Sequence, residues 1–279
     1  MTGGTNDPNF PYTPGALKSP PDTKNPNDTN AAFVLELDPS GATFIYSALI
    51  GFGSSPGGSG IAVDSQGNAY VSGIANAGFP TTTGAFQTSS RTTGTESCIV
   101  FELNPSGSAL IYSTYLGGSA TDTCLDIAID AAGNSYVAGS TQSPDFPVTP
   151  GAFQTTLSAP GVDNAFLTEI NPAGSALVYS TFFNGNKLGG IDRLAIDSNG
   201  NVYVVGLTAA SDFPTTPGAF QTVLQGADGG FVAKFARLAV SSGFQRISAE
   251  SYLRELSGWL IKPATKCDAD KHKHSGANA

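Results

Sequence analysis

Four stretches of this chain say nearly the same thing, and they restrict its architecture more than any other feature. Asp212 to Gln221 reads D-F-P-T-T-P-G-A-F-Q, Asp145 to Gln154 reads D-F-P-V-T-P-G-A-F-Q, and Gly78 to Gln87 reads G-F-P-T-T-T-G-A-F-Q. Asn9 to Lys18 gives the weaker N-F-P-Y-T-P-G-A-L-K. The leading aromatics, Phe10, Phe79, Phe146 and Phe213, stand 69, 67 and 67 residues apart. A chain that repeats at a fixed period builds one supersecondary unit several times and stacks the copies.

Each period carries two hairpin signatures. The first is A-F-V-L-E-L, D-P-S-G, A-T-F-I-Y-S-A-L from Ala32, with counterparts from Cys98 and Ala165. Its turn residues are Pro39 and Gly41, Pro105 and Gly107, Pro172 and Gly174. The Asx side chain caps the turn, Pro presets φ, and Gly takes the position where φ turns positive. The second is I-A-V-D-S-Q-G-N-A-Y-V-S-G at Ile61, matched at Ile127 and Leu194. Asp64, Asp130 and Asp197 open its turn, Gly67, Gly133 and Gly200 supply the left-handed residue, and Tyr70, Tyr136 and Tyr203 begin the return strand.

Two hairpins make four short strands, the content of one propeller blade. The expected fold is all-β, a β-propeller-like array of about three to three and a half four-stranded blades, followed by a short C-terminal helix. In chain order it gives an outer pair, two full blades, then an inner pair plus a strand at Gly230 to Phe235. The Phe-Pro motif lies inside a connection of about 20 residues, far longer than a usual hairpin loop. Its anchors, Phe79, Pro80, Phe86, Phe146, Pro147, Phe153, Phe213, Pro214 and Phe220, mark ordered loops.

Three segments follow. Residues 1–31 form a loop segment with the degenerate motif and a proline-rich polar run, 32–236 the repeat domain, and 237–279 a non-repeating basic tail. In the tail a helix is expected over 248–260, with Tyr252, Leu253, Leu256, Trp259 and Leu260 at helical spacing and Ser248 as N-cap.

Charge is unevenly placed: up to Ala236 there are 6 Lys plus Arg against 18 Asp plus Glu, and from Arg237 onward 7 against 4. An acidic body without basic stripes repels phosphate backbones, so no nucleic-acid partner is expected. No apolar run approaches the roughly 18 residues of a membrane span, and no signal peptide is visible at the start.

Candidate chemistry is sparse, and no catalytic residue, cofactor or metal is assigned. The repeats contain no His; His272 and His274 lie in the tail beside Cys267, Asp268 and Asp270. Asp64, Asp130 and Asp197 each bring one carboxylate and an Asn, short of the six to eight oxygens calcium takes, so they read as turn caps. Asp145 and Asp212 read as loop caps. Tyr46, Tyr112 and Tyr179 read as interblade packing, with a sugar-stacking platform as the alternative. Cys98 and Cys124 are either a disulfide pair or two separate thiols, and Cys267 has no expected partner.

The Phe-Pro motif, L-N-P-S-G-S-A-L-I-Y-S-T-Y-L-G-G at Leu103 to Gly118, and the Ile61 hairpin together resemble the bacterial SBBP β-propeller repeat family, over roughly residues 9–236. The resemblance implies a propeller-like fold within secreted or surface-associated bacterial proteins, without a shared enzymatic activity. The function expected is therefore a noncatalytic scaffold or binding module, extracellular or at the cell surface. Its protein or carbohydrate ligand would be met by the Phe-Pro loops and the propeller face. The alternatives are a truncated or degenerate fragment without independent function, and a hydrolase or lyase with an axial site for a carbohydrate or lactone. Too few blades to close a ring also suggests a homodimer of about six blades, the inner pair at 194–206 joining the outer pair at 32–49 of a second chain.

Overall fold

The structure is a computed structural model that describes residues 1–19, 30–52, 56–92, 94–237 and 247–248. Strands form where β-branched and aromatic residues run between the Gly-bearing turns. The first sheet is β1 (Thr2–Thr5), β2 (Ala31–Leu37) and β3 (Phe44–Phe52). The second is β4 (Gly57–Val63), β5 (Ala69–Ala75), β6 (Ser97–Leu103) and β7 (Leu110–Leu116), and the third repeats it with β8 (Asp122–Ile129), β9 (Ser135–Thr141), β10 (Asn164–Ile170) and β11 (Leu177–Phe182). The fourth is β12 (Gly189–Ile196), β13 (Val202–Thr208), β14 (Gly229–Arg237) and the two-residue β15 (Ile247–Ser248).

Every pairing between these strands is antiparallel, and each sheet follows chain order from its inner to its outer edge. β8 packs against both β4 and β12, whereas β7 and β11 pack extensively only on their own sheets, so β4, β8 and β12 line the inside of an arc of blades. Turn glycines 41, 67, 107, 133, 174 and 200 all have φ between 65° and 88°, the left-handed region their turns require.

Three apolar layers between consecutive sheets hold the arc together. Val34 and Ile50 meet Val71 and Phe101; Val100 and Leu116 meet Val137 and Phe166; Ala138 and Leu167 meet Ile191 and Val204. Covered on both faces, β6 and β10 are buried at every position. β13 is just as apolar, yet its burial alternates strictly, because among the described residues no further sheet covers its other face.

Several expectations change here. Residues 1–31 are not all loop: Thr2–Thr5 pairs with Val34 to Ala31, and the terminal ammonium of Met1 donates to Leu35 O at 2.8 Å. That strand occupies the free edge of β2, while β14 occupies that of β13. The two strand edges that a six-blade strand exchange would need are thus already paired within one chain. The expected outer pair, two full blades and inner pair plus strand thus form four sheets, the first and last each extended by one short strand, and among the described residues no extensive contact joins the fourth to the first. The helix expected at 248–260 lies outside the described residues, except for Ser248, which ends β15.

Candidate functional site

The recurring aspartates are consumed by their own turns. Asp64 Oδ1 accepts the N–H groups of Gln66 and Asn68 at 2.9 and 2.8 Å, and Oδ2 accepts Asn68 Nδ2 at 2.7 Å and the Tyr70 hydroxyl at 3.4 Å. Asp130 and Asp197 repeat the pattern with Asn134 and Tyr136, and with Asn201 and Tyr203. Slight desolvation pushes the Asp64 and Asp197 carboxyls up, but these hydrogen bonds outweigh it and hold both below the ordinary carboxylate range. With both oxygens engaged, each carboxylate acts as a turn cap.

The other turn reaches across to the preceding blade. Gly107 lies on the ring of Tyr46, and Gly174 on the ring of Tyr112, whose hydroxyl also meets Ser135 Oγ at 2.7 Å. Pro105 and Pro172 rest over Gly67 and Gly133. Tyr46, Tyr112 and Tyr179 are buried between blades, so the alternative of a sugar-stacking platform has no exposed ring to use.

The Phe-Pro loops lie along the outer edge of their own sheet. Ser47, Ser113 and Ser180 each donate a hydroxyl at 2.6 Å to the carbonyl of the motif proline at Pro11, Pro80 and Pro147. Their N–H groups donate to the hydroxyls of Thr13, Thr82 and Thr149, and their carbonyls accept the N–H groups of the same threonines. Gln87 and Gln154 extend the clamp: their carbonyls accept the N–H groups of Tyr115 and Phe182, and their side-chain oxygens those of Gly117 and Asn184. The free strand edge, which would otherwise template aggregation, is thereby covered. Phe79 and Phe146 are buried as anchors, Phe86 is partly buried on the next blade, and Phe213 packs tilted against Phe231 with centroids 4.5 Å apart. Phe153 and Phe220 are exposed. The sequence alone assigns these serines no role, although a Ser follows the Tyr of β3, β7 and β11.

Asp145 and Asp212 do cap the crossings between blades, accepting the N–H groups of Ser119 and Asn186 at 2.8 Å. Behind the first crossing lies a group the repeats do not share. Asp122 is fully buried and accepts the Thr141 hydroxyl, the Gly118 N–H and the Ser143 hydroxyl. Desolvation raises its carboxyl to about 6 against the pull of those three donors. Gly189 pairs with Thr208 as Asp122 pairs with Thr141, so the fourth sheet lacks this acid.

The innermost strands of the last three sheets, β4, β8 and β12, each carry a bulge, between Gly58 and Gly60, Cys124 and Asp126, and Ile191 and Arg193. Asp126, Asp192 and Arg193 stand at the bulges of β8 and β12. Asp126 Oδ2 accepts the N–H of Leu194 at 2.9 Å, and Arg193 Nη1 donates to Asp192 O at 2.6 Å. The broken apolar alternation in C-L-D-I and I-D-R-L is the signal that could have found them. At the β8 bulge, Cys124 forms a buried disulfide with Cys98 of β6 in the neighbouring sheet, with Cα atoms 5.1 Å apart. Cys124 lies within its strand.

A family model described as a beta-propeller repeat, SBBP, matches residues 45–80, 111–147 and 191–214. Each match runs through the inner pair of a blade to the proline of its Phe-Pro motif, and the first two begin in the outer strand of the preceding blade. No curated protein matches the chain.

Proposed function

Because three segments of this chain match the SBBP beta-propeller repeat, we propose that it works as a noncatalytic scaffold or binding module of a secreted or cell-surface bacterial protein. The observation that carries this reading is the fate of the recurring side chains. The repeated Asp, Tyr, Ser and Gln residues are engaged in turn caps, interblade walls and loop clamps. Their recurrence is accounted for by folding, with no shared reaction needed.

What faces solvent is then a set of ordered loop tips, such as Thr83–Gly84 and Pro150–Gly151, together with the inner edge at Asp192 and Arg193. Loops held by a rigid sheet are favourable places for recognition. The Cys98–Cys124 disulfide supports an oxidising compartment.

The test pairs glycan and peptide arrays probed with the full chain with a turnover panel of sugar and lactone substrates. Retention of a ligand class without turnover is the expected result. Reproducible turnover that is lost on changing Asp192 or Arg193 would overturn the reading in favour of an axial enzyme.

A further inference from the structure

The two ends of the arc present the two halves of one interface. On the fourth sheet, Tyr203, Val205, Leu207 and Val232 are 37%, 40%, 54% and 77% exposed. The strand registers make Tyr136, Ala138 and Leu167 the equivalents of Tyr203, Val205 and Val232 one blade earlier, and those three are buried under the fourth sheet. At the other end, Leu37 and Phe44 of the first sheet are 38% and 39% exposed, whereas Leu103 and Ile170, at the Leu37 position, are fully buried under the preceding blade. The rest of that face is closed from within, Phe10 stacking on Phe33 at 4.8 Å.

We infer that the open face of the fourth sheet docks on the open face of the first sheet of a second copy of this chain, and reciprocally, so that two chains close one ring of eight sheets. The contact continues an interface the chain already makes three times, with the same residue positions on both sides. Number selects the partner count. Among the described residues the four sheets do not close on themselves, two copies give eight, and three copies exceed the roughly four to eight blades that a propeller accommodates. Whole sheets meet whole sheets, so no strand changes chain. A two-fold axis then makes both contacts equivalent and leaves neither apolar end in water.

The test is the absolute mass of the full chain by light scattering on a sizing column, for wild type and for Val232→Asp and Leu37→Asp. Both substitutions sit on exposed side chains and leave the ladder hydrogen bonds in place; Leu207→Lys and Phe44→Lys serve as a second pair should either variant lose its cooperative melt. The expected result is twice 28.4 kDa for wild type and a single chain for each variant, a loss of at least tenfold in association. A monomeric wild type overturns the inference, as does a dimer that survives either substitution. A dimer broken at Val232 but not at Leu37 means instead that two fourth sheets pair with each other.

Discussion

Gly174 sits directly against the ring of Tyr112 in the preceding blade, at φ 65°. A side chain there meets two penalties at once: a left-handed backbone, and a buried ring that is itself held by Ser135. Gly151 shares the first penalty, with φ 77°, but faces open space.

Gly174→Ala is therefore expected to cost roughly 2–4 kcal/mol, adding overpacking to backbone strain. Gly151→Ala should cost only about 1 kcal/mol. Urea unfolding of both variants checks the difference, and equal losses would mean that the Tyr112 contact contributes nothing.

This pair also marks where sequence reading stops. That Gly174 needs positive φ is local chemistry and legible in N-P-A-G; that it lies on Tyr112 depends on how blades stack, which no local pattern encodes. The Phe-Pro loops were legible as ordered because Phe and Pro recur in them, but their docking on Ser113 and Ser180 joins residues more than 30 positions apart. β1 was illegible for another reason. T-G-G-T has little strand propensity, and pairing along β2 decides its conformation. Asp122 did leave a signal, since it stands alone at its repeat position.

Tyr115 and Phe182 occupy equivalent positions on β7 and β11, and the hydroxyl that only Tyr115 carries has a task. It accepts the Phe79 N–H and donates to Asn76 O, both at 2.8 Å. In the next repeat the loop is one residue longer and the Phe146 N–H finds Ser143 O instead. Tyr115→Phe should thus cost about 1–3 kcal/mol through unpaired buried groups, and Phe182→Tyr should give no gain. Thermal or urea melts of the two variants decide; a neutral Tyr115→Phe would remove the hydroxyl from the account of the shorter loop.

The Cys98–Cys124 bond closes a segment with a sequence separation of 26 and ties β6 to β8 across a blade interface. Chain-entropy reasoning assigns such a closure about 3–4 kcal/mol. Replacing both cysteines by Ala is expected to lower stability by about that amount or somewhat more, since two packed sulfurs also go. Because both are fully buried, reductant at neutral pH should leave the native protein intact and act only once denaturant opens the interface. Rapid native-state reduction would contradict that burial.

Asp122 should leave a signature in the pH dependence of stability. Its carboxyl titrates near 6 when folded, above the ordinary 3.8, because burial disfavours the anion more than its three hydrogen bonds favour it. Between those two values the folded state binds the extra proton, so this group's contribution is greatest below about pH 4 and is lost as pH rises toward 6. Asp38, Asp64, Asp145 and Asp197 are shifted the other way, and their contributions disappear as pH falls. Whole-protein stability blends the two trends, which is why the informative quantity is a difference. Asp122→Asn removes the titration while keeping the shape, so the stability of the variant relative to wild type should rise by on the order of 2 kcal/mol from pH 4 to 6.5 and then level off. Urea midpoints across that range measure it, and a difference independent of pH would mean that Asp122 is ionised throughout and serves purely as a hydrogen-bond acceptor for Gly118, Thr141 and Ser143.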